Sequence, residues 1–411
     1  MSATVLVTGA NGFTGSWFCR YLAQRGTATR GMYWAPDGEP DFSHPNLGLV
    51  PGDLRDRGSL RRALDGIEVV YNIAALYRPT NVPERLYWEV NVQGVQNMVE
   101  EAAKAGVKRF IQCSTVGVHG TVQNPPADEE APICPDDYYQ ETKYEGEVLS
   151  REFSQRLGLP LVVVRPAAIY GPKEERFLKL ARAIKSGTFV MFGPGEVRYH
   201  FIHVADLSRA FVLCSEVDEA VGEIFIIADD HAITLNEIGR IVAEALGTRP
   251  PRIRLPYPLL YYASAACEFA CKPFSIAPPL HRRRAAWFDS TRSFDIGKAR
   301  RILGYQPQVR TEEGLKRWFA RINRQAGFER RRPLLVRFSS AGVTPVPATD
   351  IAYHDATLRW NEATIGEPSR RVRPSRPDAL SSQAARVRQP CRRWAAIGKK
   401  KSGDNPTSRK P

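Results

Sequence analysis

Seven cysteines are scattered through 411 residues, at 19, 113, 134, 214, 267, 271 and 391, and no pair has C-x-x-C spacing. That argues against a zinc site or a disulfide framework, and reduced thiols fit the cytoplasm. Cys267 and Cys271 stand four apart on an apolar helical stretch, where packing is the expected role. No metal site is expected. No run of about 18 apolar residues occurs. The nearest, Leu255 to Cys271, is broken by two prolines and Glu268. No basic segment followed by an apolar core opens the chain, because a strand begins almost at once, so no secretory leader is expected. No internal repeat is present. The net charge of +14 is uneven: residues 331–411 hold 17 Lys+Arg against 6 Asp+Glu. This tail lacks periodicity and is expected to be disordered and solvated. Its few aromatics and lack of a fold disfavour nucleic-acid or membrane contact through it. The remainder, 43% hydrophobic and 25% charged over the whole chain, has a globular composition.

What is present begins with Thr4-Val5-Leu6-Val7, a buried strand, followed by the turn Thr8-Gly9-Ala10-Asn11-Gly12-Phe13-Thr14-Gly15. A helical pattern then carries Trp17, Phe18, Tyr21 and Leu22. Strand, glycine turn and helix form the setting in which unpaired N–H groups at a helix start hold a phosphate. Gly9 permits the tight turn, Gly12 the approach of a pyrophosphate, and Gly15 the close seating of helix on strand. Asn11 and Phe13 lie between them, in reach of the same ligand. The spacing is G-x-x-G-x-x-G, and an ordinary glycine turn entering a helix would read the same way.

Strand-like stretches recur at 28–33, 47–50, 67–72, 107–113 and 161–164, alternating with helical ones at 55–64, 85–104 and 137–157. This alternation predicts an α/β fold with a doubly wound parallel, Rossmann-type sheet over residues 1–172. Beyond Pro172 the pattern loosens into helices at 177–186, 206–216, 235–246 and 311–323 and strands at 199–202 and 223–228. Residues 173–330 are expected to form mainly a smaller substrate-binding lid, with 199–232 returning to the first domain. The stretch 250–290 resists assignment.

Several residues are placed for chemistry. Asp53, after the third strand, could accept from an adenine amino group or serve as a turn or cap residue. The second strand ends at Tyr33-Trp34 with no acid for a ribose hydroxyl. No arginine stands there for a phosphate either, except Arg30 earlier in the strand, so NAD and NADP both remain open. Tyr139 and Lys143 stand four apart on one helix face, and of 15 tyrosines only Tyr139 has Lys at +4. A phenol's pKa must fall by about 3 to exchange a proton near neutrality, roughly 4 kcal/mol, and a neighbouring ammonium favours that. Ser114 and Thr115 end the fifth strand, where either could bind a substrate oxygen. His119, His200 and His203 read as loop or core histidines, and Asp206 as a helix-start residue.

Together these pieces resemble the extended short-chain dehydrogenase/reductases of the NAD-dependent epimerase/dehydratase group. The resemblance rests on Thr8–Gly15, Gly52-Asp53-Leu54, Asn72-Ile73-Ala74-Ala75, Asn91-Val92-Gln93-Gly94 and Ser114 to Gly120. Further matches are Tyr139–Lys143, Arg165 to Pro172, His203 to Leu207 and Lys298 to Tyr305. It covers almost all of 4–325. It implies that Gly9, Gly12 and Gly15 cradle the pyrophosphate of NAD or NADP. Asp53 and Leu54 would border the adenine, Ala74 and Ala75 the middle of the cofactor, and Pro166 the nicotinamide. Asn91 would hold backbone near the site. Thr115, with Ser114 beside it, would take the Ser/Thr position, Tyr139 would be the acid/base, and Lys143 would assist it and hold the nicotinamide ribose. Ala168 and Ile169 stand where nucleotide-sugar members often carry Asn. With Tyr257, Tyr261, Tyr262, Phe269 and Phe274 they suggest an apolar alcohol or ketone, as in the 3β-hydroxysteroid dehydrogenase and dihydroflavonol reductase branch. The aromatics could instead be lid core. Rival expectations are a nucleotide-sugar epimerase or dehydratase with tightly held NAD, and a non-catalytic NAD(P)-sensing protein. A small-molecule substrate is the expected partner. Helices near 85–105 and 137–157 could pair two copies, as in relatives.

Overall fold

The computed structural model describes residues 4–77, 82–174, 177–271, 278, 280 and 282–325. Phe274 and the tail expected at 331–411 lie outside the described residues. The chain opens with β1 (Val5–Thr8), α1 (Phe13–Gln24), β2 (Thr29–Tyr33), β3 (Leu47–Pro51), α2 (Arg57–Leu64) and β4 (Val69–Asn72). Next come α3 (Glu84–Trp88), a π-helical turn at Glu89–Gln93 and α4 (Gly94–Lys104), followed by β5 (Arg109–Cys113), α5 (Tyr138–Leu157) and β6 (Leu161–Pro166). The third stretch holds β7 (Ala168–Tyr170), α6 (Leu178–Lys185), β8 (Met191–Phe192), β9 (Arg198–Tyr199), β10 (Phe201–His203), α7 (Val204–Glu216) and β11 (Ile224–Ile227). The last comprises β12 (Ile233–Thr234), α8 (Leu235–Ala245), β13 (Arg254–Leu255), α9 (Tyr257–Cys271), α10 (Arg282–Ala285), α11 (Gly297–Leu303) and α12 (Thr311–Gln325).

Seven strands form one parallel sheet in the order β3-β2-β1-β4-β5-β6-β11. Side chains alternate between two apolar layers, as strands buried on both faces require. Val5, Val7, Tyr71, Ile111, Val162 and Val164 pack on one side with Phe18 and Leu22 of α1 and Phe211 of α7. Leu6, Val70, Phe110, Leu161 and Val163 pack on the other with Leu60 and Leu64 of α2 and Met98 and Val99 of α4. The strand order reverses between β1 and β4, which places the ligand crevice above their carboxyl ends.

Residues 224–227 join this sheet as its seventh strand, against β6. A third apolar cluster gathers Ile184, Phe201, Ile238, Ile241, Leu315 and Trp318 from later elements. Cys19, Cys113, Cys214, Cys267 and Cys271 are free thiols, but Cys134 is disulfide-bonded. That corrects the expectation of wholly reduced thiols. Disulfide pairing depends on approach in space, which sequence spacing does not report.

Candidate active site

The glycine turn owes its shape to two contacts. Gly9 adopts φ +76°, a left-handed conformation, and a Cβ there would lie 3.1 Å from Ala74 Cα. A Cβ on Gly15 would lie 2.1 Å from the Gly9 carbonyl oxygen, so α1 reaches the turn only without a side chain. Gly12 is exposed and caps α1; no side chain caps this helix and no acid stands in its first turn. Its leading N–H groups therefore stay open to an anion, which fits the pyrophosphate of a dinucleotide. Phe13 begins α1, half-buried. Asn11 ties this turn to the loop after β2, donating from Nδ2 to the Trp34 carbonyl at 3.0 Å and the Gly38 carbonyl at 3.3 Å.

After β3, the Asp53 carboxylate accepts from the Arg55 backbone N at 2.9 Å and from Arg55 Nη2 at 2.6 Å. Burial pushes its pKa up, but the Arg55 hydrogen bonds prevail and hold it below the usual carboxylate range. The cap of α2 is Asp56, which accepts from Gly58 N and Ser59 N. Asp53 is thus a turn residue, not the helix cap. Leu54 is buried under α4, and its carbonyl accepts from Asn97 Nδ2 at 3.1 Å. Arg30 is committed elsewhere, donating to the Ala63 and Asp65 carbonyls at the end of α2.

The crevice floor is polar and fully buried. Thr8 Oγ1 donates to Asn72 Oδ1 at 2.9 Å, and Asn72 Nδ2 donates to Gln112 Oε1 at 2.9 Å. Thr8 Oγ1 also accepts from Ile73 N and Ala74 N. These bonds align the ends of β1, β4 and β5 and hold Ala74 against the glycine turn, with Ala75 next along the same loop. Local spacing does not single out Thr8, Asn72 and Gln112. Their signal is a polar residue near the carboxyl end of each of three neighbouring buried strands.

Tyr139 and Lys143 lie in the first two turns of α5, whose cap is Asp137, accepting from Gln140 N at 2.9 Å. Lys143 is buried, and its Nζ donates to the Cys113 carbonyl at the end of β5, 2.7 Å away. Burial lowers its pKa. Tyr139 is nearly buried, its ring edge-on to Tyr77 with centroids 5.0 Å apart. Thr115 follows on the same strand end and is half-buried; its Oγ1 accepts from Gly117 N at 3.1 Å, leaving its proton to donate. Ser114 is buried on the opposite face, near Glu147, and its Oγ makes no hydrogen bond of normal geometry. Of the two hydroxyls, Thr115 is the one on the open side. Asn91, in the π-helical turn, accepts from Leu76 N at 2.8 Å and donates to the Leu76 carbonyl and to Thr142 Oγ1. It joins the loop after β4 to α5. Pro166 ends β6, buried, in register with Ile227.

Behind the site, the Arg165 guanidinium clamps Glu147, with Nη2 at 2.5 Å and Nε at 3.1 Å. Arg165 Nη1 donates to His119 Nε2 at 3.0 Å, so the ring's proton sits on Nδ1, 3.3 Å from the Pro132 carbonyl. Burial and Arg165 lower the His119 pKa to about 4, which suits a core imidazole rather than a base. Asp206 lies in the first turn of α7, as expected, and its buried carboxylate also accepts from Gln308 N and Val309 N. Tyr261, Tyr262 and Phe269 are exposed on α9, so they are neither lid core nor a buried substrate lining.

Residues 5–228 match the NAD dependent epimerase/dehydratase family. The chain is similar to the 3beta-hydroxysteroid-dehydrogenase/decarboxylase isoform 1 of Arabidopsis thaliana, 33% identical over 77% of this chain and 72% of that protein. It is 30% identical to a 3 beta-hydroxysteroid dehydrogenase/Delta 5→4-isomerase of Mycobacterium tuberculosis, over 76% and 88% of the two chains. Among solved structures, the dTDP-glucose 4,6-dehydratase DesIV of Streptomyces venezuelae, crystallised with NAD, superposes with a TM-score of 0.64. That match covers 79% of this chain and 98% of the other at 26% identity.

Proposed function

Since the chain belongs to the NAD dependent epimerase/dehydratase family, we propose that it is an oxidoreductase acting on a secondary alcohol or ketone of a fairly apolar, steroid- or flavonol-like substrate. The observation that carries this reading is the buried Lys143, fixed to the end of β5 at 2.7 Å one helical turn from Tyr139. NAD or NADP, when bound, supplies the hydride donor or acceptor. Gly9, Gly12 and Gly15 seat its pyrophosphate, Asp53 and Leu54 border its adenine, Ala74, Ala75 and Pro166 line its path, and Lys143 holds its ribose. Tyr139 passes a proton between its phenol oxygen and the substrate oxygen. Thr115 donates its hydroxyl proton to that oxygen and fixes its place. Asn91 and Asn11 position the loops around the crevice. The apolar substrate is supported by Ala168 and Ile169, which offer a sugar no hydrogen-bonding side chain, and by the similarity to named steroid dehydrogenases.

The test is Tyr139→Phe, assayed on a panel of steroid-like and flavonol-like ketones and alcohols alongside a cofactor titration. Turnover should fall by at least about 100-fold while cofactor affinity stays within about threefold. Retained turnover would remove Tyr139 from the chemistry. The dehydratase similarity favours a second reading, a nucleotide-sugar epimerase or dehydratase. Protein that purifies with bound NAD and converts a nucleotide sugar but none of the apolar panel would establish it. Under either reading we infer that two copies pair across α3–α4 and α5, where Trp88 stands exposed.

A further inference from the structure

Helix α9 differs from the other helices in what it leaves uncovered. Of its fifteen residues, Leu260 and Ser264 are buried, while Leu259, Tyr262 and Phe269 are 55%, 70% and 81% exposed. Leu259, Tyr262, Ala266 and Phe269 recur at helical spacing and form one exposed apolar stripe. Ile253 and Leu255, exposed just before the helix, extend it. Single exposed apolar side chains are ordinary, but a contiguous stripe marks a contact surface. The helix's one acid, Glu268, is neutralised by Arg282, whose Nε lies 2.8 Å from Oε2 and whose backbone N donates to Oε1 at 2.7 Å. No described helix is long and apolar enough to cross a membrane. Around the stripe the sequence is strongly basic: residues 249–284 contain seven Lys+Arg and a single acid. A second copy of this chain would bring the same cationic collar to the contact, where like charges repel. An apolar stripe between cationic flanks is complementary to an anionic bilayer surface, where apolar side chains enter the interface and arginines meet the headgroups.

We propose that α9 docks the protein onto an anionic lipid surface, lying in its plane with Leu259, Tyr262 and Phe269 inserted and the flanking arginines at the headgroups. The test is co-sedimentation of the full chain with phosphatidylcholine vesicles, with and without phosphatidylglycerol, in low and high salt. Wild-type protein should sediment with the phosphatidylglycerol vesicles, and less so in high salt. The variant Leu259→Glu/Tyr262→Glu/Phe269→Glu should bind about 30-fold more weakly. Arg252→Glu should weaken binding several-fold and supplies the readout should the triple variant misfold by circular dichroism. Equal retention of the variants and wild type would overturn the proposal, as would absent retention of the wild type. A dimer that dissociates in the triple variant without any vesicle binding would also overturn it, assigning the stripe to a second copy.

Discussion

Gly15 sits where one added carbon would lie 2.1 Å from the Gly9 carbonyl oxygen and 2.7 Å from its carbon. Neither atom can give way, because both belong to the backbone of the turn. Gly15→Ala must push α1 off the turn or distort it, which costs about 1–3 kcal/mol as overpacking and misaligns the open N–H groups. Calorimetric titration should show cofactor affinity falling by at least about tenfold, with a lowered Tm. Gly48→Ala is the control: nothing lies within 4 Å of a Cβ there, so both quantities should hold. The tight turn at Gly9 and the close approach at Gly15 were legible in the sequence because a glycine's freedom is a property of the residue itself. Asn11 was legible only as a neighbour of those glycines. Its partners, the Trp34 and Gly38 carbonyls, stand 23 and 27 residues away.

The elements show the same division. The apolar period marked a helix over 85–104, and a helical rod is there, but the π-helical turn at Glu89–Gln93 within it was invisible. One widened turn leaves the surrounding period almost unchanged, and such turns gather at functional sites. This one carries Asn91, whose side chain both donates to and accepts from Leu76. Asn91→Ala would strip the Leu76 amide of its acceptor and release the loop that holds Ala74, Ala75 and Tyr77. The Leu76 amide should then exchange its hydrogen about 30-fold faster, and thermal stability should drop by about 2 kcal/mol. Unchanged exchange at Leu76 would mean the loop is held by something else. Helix α9 declared itself only around Cys267 and Cys271, for another reason. Its apolar residues run around the whole circumference, so no face stood out, and two prolines near its start resembled a break.

Across the molecule, the doubly wound sheet could be read from the sequence because its inner strands β1, β5 and β6 are buried on both faces, and that demand shows as short, mostly apolar runs. The polar groups it buries could not, since their partners are distant: Glu147 meets Arg165 18 positions on, and Glu129 Oε1 accepts from Ile226 N 97 positions on. Three imidazoles, His119 and His200 buried and His203 half-buried, give this polar interior a measurable consequence. His119, His200 and His203 each have a pKa lowered from 6.5 to about 4, first by burial, then by Arg165 for His119, His231 for His200 and Arg209 for His203. In the unfolded chain each takes up a proton near pH 6.5, and in the folded chain only near pH 4. Between those values the unfolded state binds more protons, so stability rises with pH there. The contribution is complete above about pH 6.5 and is lost as pH falls toward 4. By pH 5.5 the loss amounts to about 1.4 kcal/mol apiece, roughly 4 together, a large share of the net stability of a folded domain. The guanidinium midpoint should therefore fall steadily from pH 7 to pH 5, and His119→Gln should flatten part of that slope. A midpoint independent of pH over this range would mean that the three rings are not held neutral in the folded protein.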